Sequence, residues 1–118
     1  MMLELAAAIR VYLVIGATDM RKSINGLSLI VSEYFNLDPF SGHMFVFTNK
    51  KKNMVKILYW DTNGFCLWHK RLEKDFFKWP ASKEEVIAVG KKELMWLIHG
   101  LNIYQTDAHK SLKYKAVF

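Results

Sequence analysis

The sequence predicts a single α+β domain: an antiparallel β-meander of about five to six strands, packed with two amphipathic helices. Its 118 residues are 52% hydrophobic and 24% charged, which suffices to bury one core without disulfides or metals. Apolar residues recur at helical spacing in two segments and at a period of two through the long middle of the chain. We expect the domain over residues 1–103 and a basic C-terminal tail over residues 104–118.

The first segment predicts a strand followed by a helix. Ile9–Ile15 is rich in Val and Ile and is followed by Gly16, as is typical of a buried strand. Thr18 or Asp19 is expected to cap the helix, because a short oxygen-bearing side chain satisfies free N–H groups of the first turn. The helical spacing is carried by Ile24, Leu27, Ile30, Val31, Tyr34 and Phe35.

The middle of the chain predicts the meander. Asp38–Gly42 is a turn, since Pro presets φ and Gly accepts left-handed geometry. Asn63-Gly64 is the pair typical of a tight hairpin. Four strands are expected, at Met44–Thr48, Met54–Trp60, Phe65–Leu72 and Asp75–Trp79.

The last segment predicts a short strand and a second helix. Ser82–Glu85 matches a capping box, yet Val86–Val89 followed by Gly90 suits a strand better than a helix. From Lys91 onward the apolar spacing is helical, and Gly100 is expected to end that helix.

The basic charge favours a polyanionic partner, nucleic acid first. Net charge is +6 and pI is about 9.5. A two-residue Asn63-Gly64 loop would pair Lys56 with Arg71, and would place both on one sheet face near Lys50–Lys52, with Trp60 as a flat neighbour for stacking. The alternative is a solvated face whose lysines only maintain solubility.

The octapeptide of residues 16–23, GATDMRKS, nearly matches a phosphate-binding P-loop. Arg21 replaces the Gly whose bare backbone lets phosphate approach, and the following strands are expected to form hairpins instead of parallel crossovers. Nucleotide binding is therefore not expected. Asp19 is expected to pair with Arg21 or Lys22, and an external anion on these cations is the alternative.

Catalytic and metal sites find no support in the sequence. The four His residues are far apart, and no zinc or nucleophile motif occurs. Cys66 stands mid-strand, as a small buried hydrophobe does. We expect no enzyme activity, no metal and no cofactor. No stretch approaches the roughly 20 apolar residues of a membrane span, and the N-terminus lacks the basic segment of a signal peptide, so a cytoplasmic protein is expected.

Several blocks in fixed order give the chain a family resemblance. They include Thr18–Lys22, Asp38–Phe47, Val55–Asp61 and Phe77–Pro80. Over about residues 9–103 the chain closely resembles the TnpB accessory proteins, products of the second open reading frame of bacterial insertion sequences of the IS66 family. The residues that carry this motif are Thr18, Asp19, Met20, Asp38, Pro39, Phe40, Ser41, Gly42, Trp60, Asp61, Trp79 and Pro80.

The resemblance implies a small non-catalytic protein that works beside a separate transposase, to which the chemistry of DNA strand transfer belongs. The first hypothesis is a DNA-binding subunit that helps the transposase engage the element. The second is a protein-interaction module that bridges the transposase and companion proteins without touching DNA, through exposed aromatic residues around Phe40 and the tryptophans. The candidate DNA-binding residues are Arg21, Lys22, Lys50, Lys51, Lys52, Lys56, Lys70 and Arg71.

Overall fold

The computed structural model describes residues 9–103, which form a five-stranded mixed sheet with one helix on each face. This confirms the predicted α+β class. The predicted tail, residues 104–118, lies outside the described residues. The elements are β1 (Val11–Ala17), α1 (Ile24–Leu29, continued by a π-helical turn Ile30–Tyr34), β2 (Met44–Thr48), β3 (Met54–Asp61), β4 (Gly64–Arg71), β5 (Val86–Val89) and α2 (Lys91–Ile98).

The sheet order is β4-β3-β2-β1-β5. The predicted antiparallel run is confirmed for β2, β3 and β4, and β5 is antiparallel to β1. The prediction of a wholly antiparallel meander is wrong at β1, which pairs with β2 in parallel. The reason is the helical segment between them: α1 returns the chain to the starting end of the sheet, as a parallel connection requires.

The predicted register of the β3–β4 hairpin is also wrong. Asp61 pairs with Gly64, so the loop residues are Thr62 and Asn63, and Thr62 takes the left-handed conformation with φ of 55°. Lys56 therefore lies opposite His69 instead of Arg71. Every partner moves by two residues, and because side chains alternate with a period of two, each one keeps its predicted face.

The two faces of the sheet each bury an apolar cluster. On one face α2 contributes Leu94, Leu97 and Ile98 to a core with alternate residues of β1, β2 and β3. On the other face Leu27 and Val31 of the first helical segment pack against Phe45, Phe47 and Leu58. Successive side chains of a strand point to opposite faces, so each central strand contributes to both clusters and the sheet holds a helix on each face.

The predicted strand Asp75–Trp79 does not form. Phe77 is buried, and so is Trp79, whose indole Nε1–H donates to the carbonyl of Val14 at 3.0 Å. Phe77 N–H donates instead to the Lys52 carbonyl, at 2.7 Å. The period of two arises because alternate side chains of this segment are buried against the face of the sheet, although its backbone does not pair as a strand.

Of the remaining predictions, two are confirmed and one, at the start of α1, is wrong. The strand β5 and the end of α2 at Gly100, where φ is 87°, are confirmed. Capping of α1 by Thr18 or Asp19 is wrong: its N-cap is Ser23, without a side-chain cap bond. The Asp19 carboxylate instead pairs with Arg21, as described below. Within residues 9–103, no helix is long and apolar enough to cross a bilayer.

Candidate nucleic-acid interface

Three loops lie at one end of the sheet, because of the directions in which the strands run. β1, β2 and β4 run in the same direction and finish there, whereas β3 and β5 begin there. The loops 18–23, 49–53 and 72–85 therefore emerge side by side. We call these loops, together with the last residue of β4, the basic end.

The basic end carries an excess of cations. Six of the eight candidate DNA-binding residues lie here, and three further lysines of the 72–85 loop join them. The cations are Arg21, Lys22, Lys50, Lys51, Lys52, Arg71, Lys74, Lys78 and Lys83. The carboxylates at the same end are Asp19, Glu73, Asp75, Glu84 and Glu85.

Lys56, a candidate DNA contact, is buried in the structure, with 9% of its surface exposed. Its ammonium donates to the carbonyls of Met20 at 2.7 Å and Lys22 at 2.9 Å. These charge-assisted bonds tie the 18–23 loop to β3. Lys56 therefore positions the loop that carries Arg21 and Lys22, and its own ammonium faces the protein.

Lys70, another candidate, lies on the opposite face of the hairpin. It pairs with Val55 across the sheet, and its ammonium donates to the carbonyl of Ile98 at 3.1 Å. A cation at a helix C-terminus satisfies a free carbonyl and complements the helix dipole. Lys70 thus caps α2 and does not join the basic end.

Arg21 forms an ion pair with Asp19. The carboxylate accepts from Arg21 Nη2 at 2.7 Å, from Nε at 3.1 Å, and from the Arg21 backbone N–H at 2.9 Å. These bonds to Arg21 hold the pKa of the Asp19 carboxyl well below its usual range and raise the pKa of the guanidinium. The predicted pairing of Asp19 is confirmed with Arg21. In a P-loop the backbone N–H groups serve a phosphate, whereas here a carboxylate of the same loop accepts one of them.

The 49–53 loop is internally fixed. Asn49 Oδ1 accepts from the backbone N–H groups of Asn53 at 3.1 Å and Met54 at 3.2 Å, while its Nδ2 donates to Asn53 Oδ1 at 2.7 Å. Lys52 takes a left-handed conformation with φ of 60° and donates its N–H to the Asn49 carbonyl. This network holds Lys50 and Lys51 outward at the tip of the loop, where both are exposed.

A cleft of about 520 Å³ separates the 18–23 and 49–53 loops. One wall carries Thr18, Asp19 and Met20, and the other carries Lys50 and Lys51. The N–H of Thr18 donates to the Thr48 carbonyl at 2.7 Å, which joins the two loops at the floor. The two basic segments that are 28 residues apart in sequence (Lys22 to Lys50) thus become neighbours.

Ion pairs neutralise only part of the basic end. Arg71 contacts Glu73 at 3.1 Å, and Lys78 contacts Asp75 at 3.7 Å. For Lys22, Lys50 and Lys51, no carboxylate oxygen of residues 9–103 lies within the 4.0 Å of a salt bridge. These three exposed ammonium groups, on the two loops that border the cleft, are open to an external anion.

His69 and the tryptophans contribute little to this surface. Partial burial, and then the charges of Lys56 and Arg71, lower the pKa of His69, which favours its neutral form. Trp60 does not neighbour the lysines as predicted: it is six residues along β3 from Met54, or about 20 Å. Trp79 is buried in the core of the α2 face, against which Trp68 and Trp96 pack.

Several motif residues have structural roles. Trp79 and Pro80 are buried, and Thr18 and Asp19 shape the 18–23 loop. Lys74, Lys78 and Lys83 are absent from the predicted set because a strand, Asp75–Trp79, is predicted within this loop. Counting directions along the predicted antiparallel run β2–β3–β4 would have placed their loop at the same end as the 49–53 loop. Within residues 9–103, no group of three or more His, Cys, Asp or Glu side chains is arranged to hold a metal ion.

Comparison with known proteins identifies the family. The model of the IS66 Orf2-like proteins matches residues 9–108. The chain is 35% identical over 101 residues to the uncharacterized protein y4hO of Sinorhizobium fredii, covering 86% of this chain and 88% of that protein. It is 31% identical over 94 residues to the uncharacterized protein y4jC of the same organism, covering 80% of each chain. No solved structure matches the chain significantly.

Proposed function

Because this chain belongs to the family of IS66 Orf2-like proteins, accessory proteins of insertion sequences, we propose that it assists the transposase by binding DNA through the basic end. The observation that carries the proposal is one cleft between two separate basic loops: Lys50 and Lys51 line one wall, and the loop that continues into Arg21 and Lys22 forms the other. Positive side chains held together on firm loops favour phosphate contacts. The proposed place of action is the bacterial cytoplasm, on the DNA of the element.

The proposed mode of binding is electrostatic. Within the described part of the chain, loops and the end of β4 present these cations, so the contacts are expected to be with phosphates more than with base edges. Such contacts release counterions, and the affinity then falls steeply with salt. The protein would hold or shape the DNA while the transposase supplies sequence recognition and chemistry.

The test compares two variants with the same change of charge. Lys50→Glu/Lys51→Glu alters the basic end, whereas Lys91→Glu/Lys92→Glu alters two exposed lysines at the start of α2, at the other end of the sheet. The wild type and each variant are titrated against fluorescent duplexes of the element ends, and against scrambled duplexes, at several salt concentrations.

We expect the Lys50/Lys51 variant to lose at least about tenfold in affinity, and its slope of log K against log salt to fall by about 2, one for each lost phosphate contact. The Lys91/Lys92 variant should change less than about threefold, through long-range charge alone. Equal losses in both variants would remove the basic end as the site. Absence of wild-type binding at low salt would end the DNA proposal.

A further inference from the structure

The strand β4 has an open backbone edge. It lies outermost in the sheet, beside β3 alone. Leu72 N–H donates to the Asn53 carbonyl at 2.8 Å, so even-numbered residues of β4 direct their N–H and C=O groups toward β3, and odd-numbered residues direct theirs away from the sheet. The outward-directed residues are Phe65, Leu67, His69 and Arg71. Among residues 9–103, their N–H and C=O groups have no backbone partner.

The edge of β4 is long and lacks the usual protection against pairing. Its eight residues contain no Pro, and their register against β3 is uninterrupted by a bulge. Residues 65–68, which are Phe, Cys, Leu and Trp, are apolar and half-buried. The opposite edge strand, β5, has four residues and directs only Val86 and Ala88 outward, because Ile15 N–H donates to the Glu85 carbonyl. Of the two edges, that of β4 is the one suited to accept a further strand.

The edge of β4 is complementary to itself in one antiparallel register. Outward residues must pair with outward residues, because only they have free N–H and C=O groups. When Leu67 opposes His69 of a second copy, Phe65 opposes Arg71 of that copy, and symmetry repeats both pairs. All four outward residues of each copy are then used, in about eight backbone hydrogen bonds. A shift of the register in either direction leaves Phe65 or Arg71 opposite chain outside the strand.

The charge distribution also suits a second copy in this orientation. Arg71 ends β4 at the basic end, so antiparallel pairing sends the two basic ends to opposite ends of the joined sheet. About 25 Å of strand then lies between them, which limits the repulsion between two chains of net charge +6. Across the junction no like charges stand opposite each other, and each Arg71 meets a Phe65 ring, a favourable cation–π pairing.

We propose that the edge of β4 pairs with the same edge of a second copy of this chain, so that two five-stranded sheets join into one ten-stranded sheet. Such an isologous contact closes both open edges at once. The pairing does not depend on DNA. One consequence rests on the proposed function: the dimer presents a basic end at each end of the joined sheet and can hold two DNA segments.

The test is analytical ultracentrifugation of the full chain without DNA, from about 1 μM to about 200 μM. His69→Pro removes one outward N–H from each copy and leaves the pairing with β3 intact. The dissociation constant of the dimer should rise at least about tenfold, because the symmetric interface loses two hydrogen bonds. Ala88→Pro is the matched control, since it removes an outward N–H from the edge of β5, and it should change the constant less than about twofold.

A charge exchange tests the register and also replaces His69→Pro if thermal denaturation shows that the proline variant unfolds. Leu67→Lys should weaken the dimer about threefold or more, because it puts a charge at an apolar strand pair. Leu67→Lys/His69→Glu then sets Lys opposite Glu of the second copy twice, and the dissociation constant should fall about threefold or more from that of Leu67→Lys. In a register that opposes residue 67 to itself, Lys would meet Lys and no recovery would follow.

Three results would overturn the inference. They are a wild type that stays monomeric at about 200 μM, equal weakening by His69→Pro and Ala88→Pro, or a double variant that dimerises no better than Leu67→Lys. Because self-association is measured without DNA, the two proposals fail separately. A dimer that binds no DNA would remove only the proposed function, and a monomer that binds DNA would remove only the pairing.

Discussion

The basic end and a cluster of three aromatic rings, Phe40, Trp60 and Phe65, lie at opposite ends of one sheet and are built by different means. At the basic end, Lys56 and Asn49 hydrogen-bond to loop backbone and so hold charged side chains in water. At the other end, Trp60 and Phe65 support Phe40 by ring packing. Exposed charges are screened by salt over about 10 Å at 0.1 M, whereas apolar contacts are not. Salt should therefore affect the two surfaces differently.

Lys56→Met should cause the largest loss of stability, and it acts on the basic end. It leaves the Met20 and Lys22 carbonyls without their ammonium donor, and the loss should be about 2–3 kcal/mol of unfolding free energy. Thermal denaturation should record a fall in Tm of roughly 10 °C or more. DNA affinity should also fall, because the loop that carries Lys22 loses its anchor.

Lys70→Met is the control for Lys56→Met, since it makes the same chemical change where the ammonium donates one described bond, to Ile98. Its cost should be about 1 kcal/mol, with DNA affinity nearly unchanged. If both variants retained wild-type stability, the two lysines would not hold the loop and helix as described.

Gly42→Ala tests the turn that displays Phe40. An added Cβ would meet only the Trp60 carbonyl, at an ordinary 3.9 Å, so the cost comes from the left-handed backbone and should be about 1–2 kcal/mol. Gly64→Ala, where a Cβ meets nothing within 4 Å and φ is not positive, should cost less than about 0.5 kcal/mol. Urea denaturation compares them. Unchanged DNA affinity in Gly42→Ala would show that the 38–42 turn and the basic end act independently. A loss of DNA affinity would show that they are coupled.

Asp19→Asn should give the smallest effect on stability. The Arg21–Asp19 pair is exposed, with 91% and 41% of the two side chains accessible, so water screens the pair and the unfolding free energy should not change measurably in urea denaturation. DNA affinity should rise about two- to threefold, because the basic end loses a negative charge and releases Arg21. Asp61→Asn removes the same charge at the other end and serves as the control. An equal rise there would mean that only net charge matters.

The helices and strands were largely predictable because their signals are local. The spacing from Ile24 to Phe35 gave the first helical segment, and the period of two gave β2, β3 and β4. The segment 75–79 failed because a buried face imposes a period of two on irregular chain as well as on a strand. The hairpin register failed because Thr62 takes the left-handed position that the sequence favoured for Gly64.

The candidate site was predictable as a set of residues but not as a surface. Charge selected Lys70, and charge together with the predicted sheet face selected Lys56, but in the structure both ammonium groups donate to carbonyls of the chain. No local pattern distinguishes a lysine that caps a helix from one that faces water. That distinction depends on which element packs over the strand.

The sequence by itself determined the composition of the domain, its helix and strand periods, its excess of positive charge and its family motif, because each of these is a property of neighbouring residues. Only the tertiary structure decided that β1 runs parallel to β2, and this one pairing brings Arg21-Lys22 beside Lys50–Lys52 and leaves Phe40 and Trp60 at the far end. Strand direction is a long-range property, set when the sheet assembles around its two cores. The separation of charge from aromatic surface follows from that assembly.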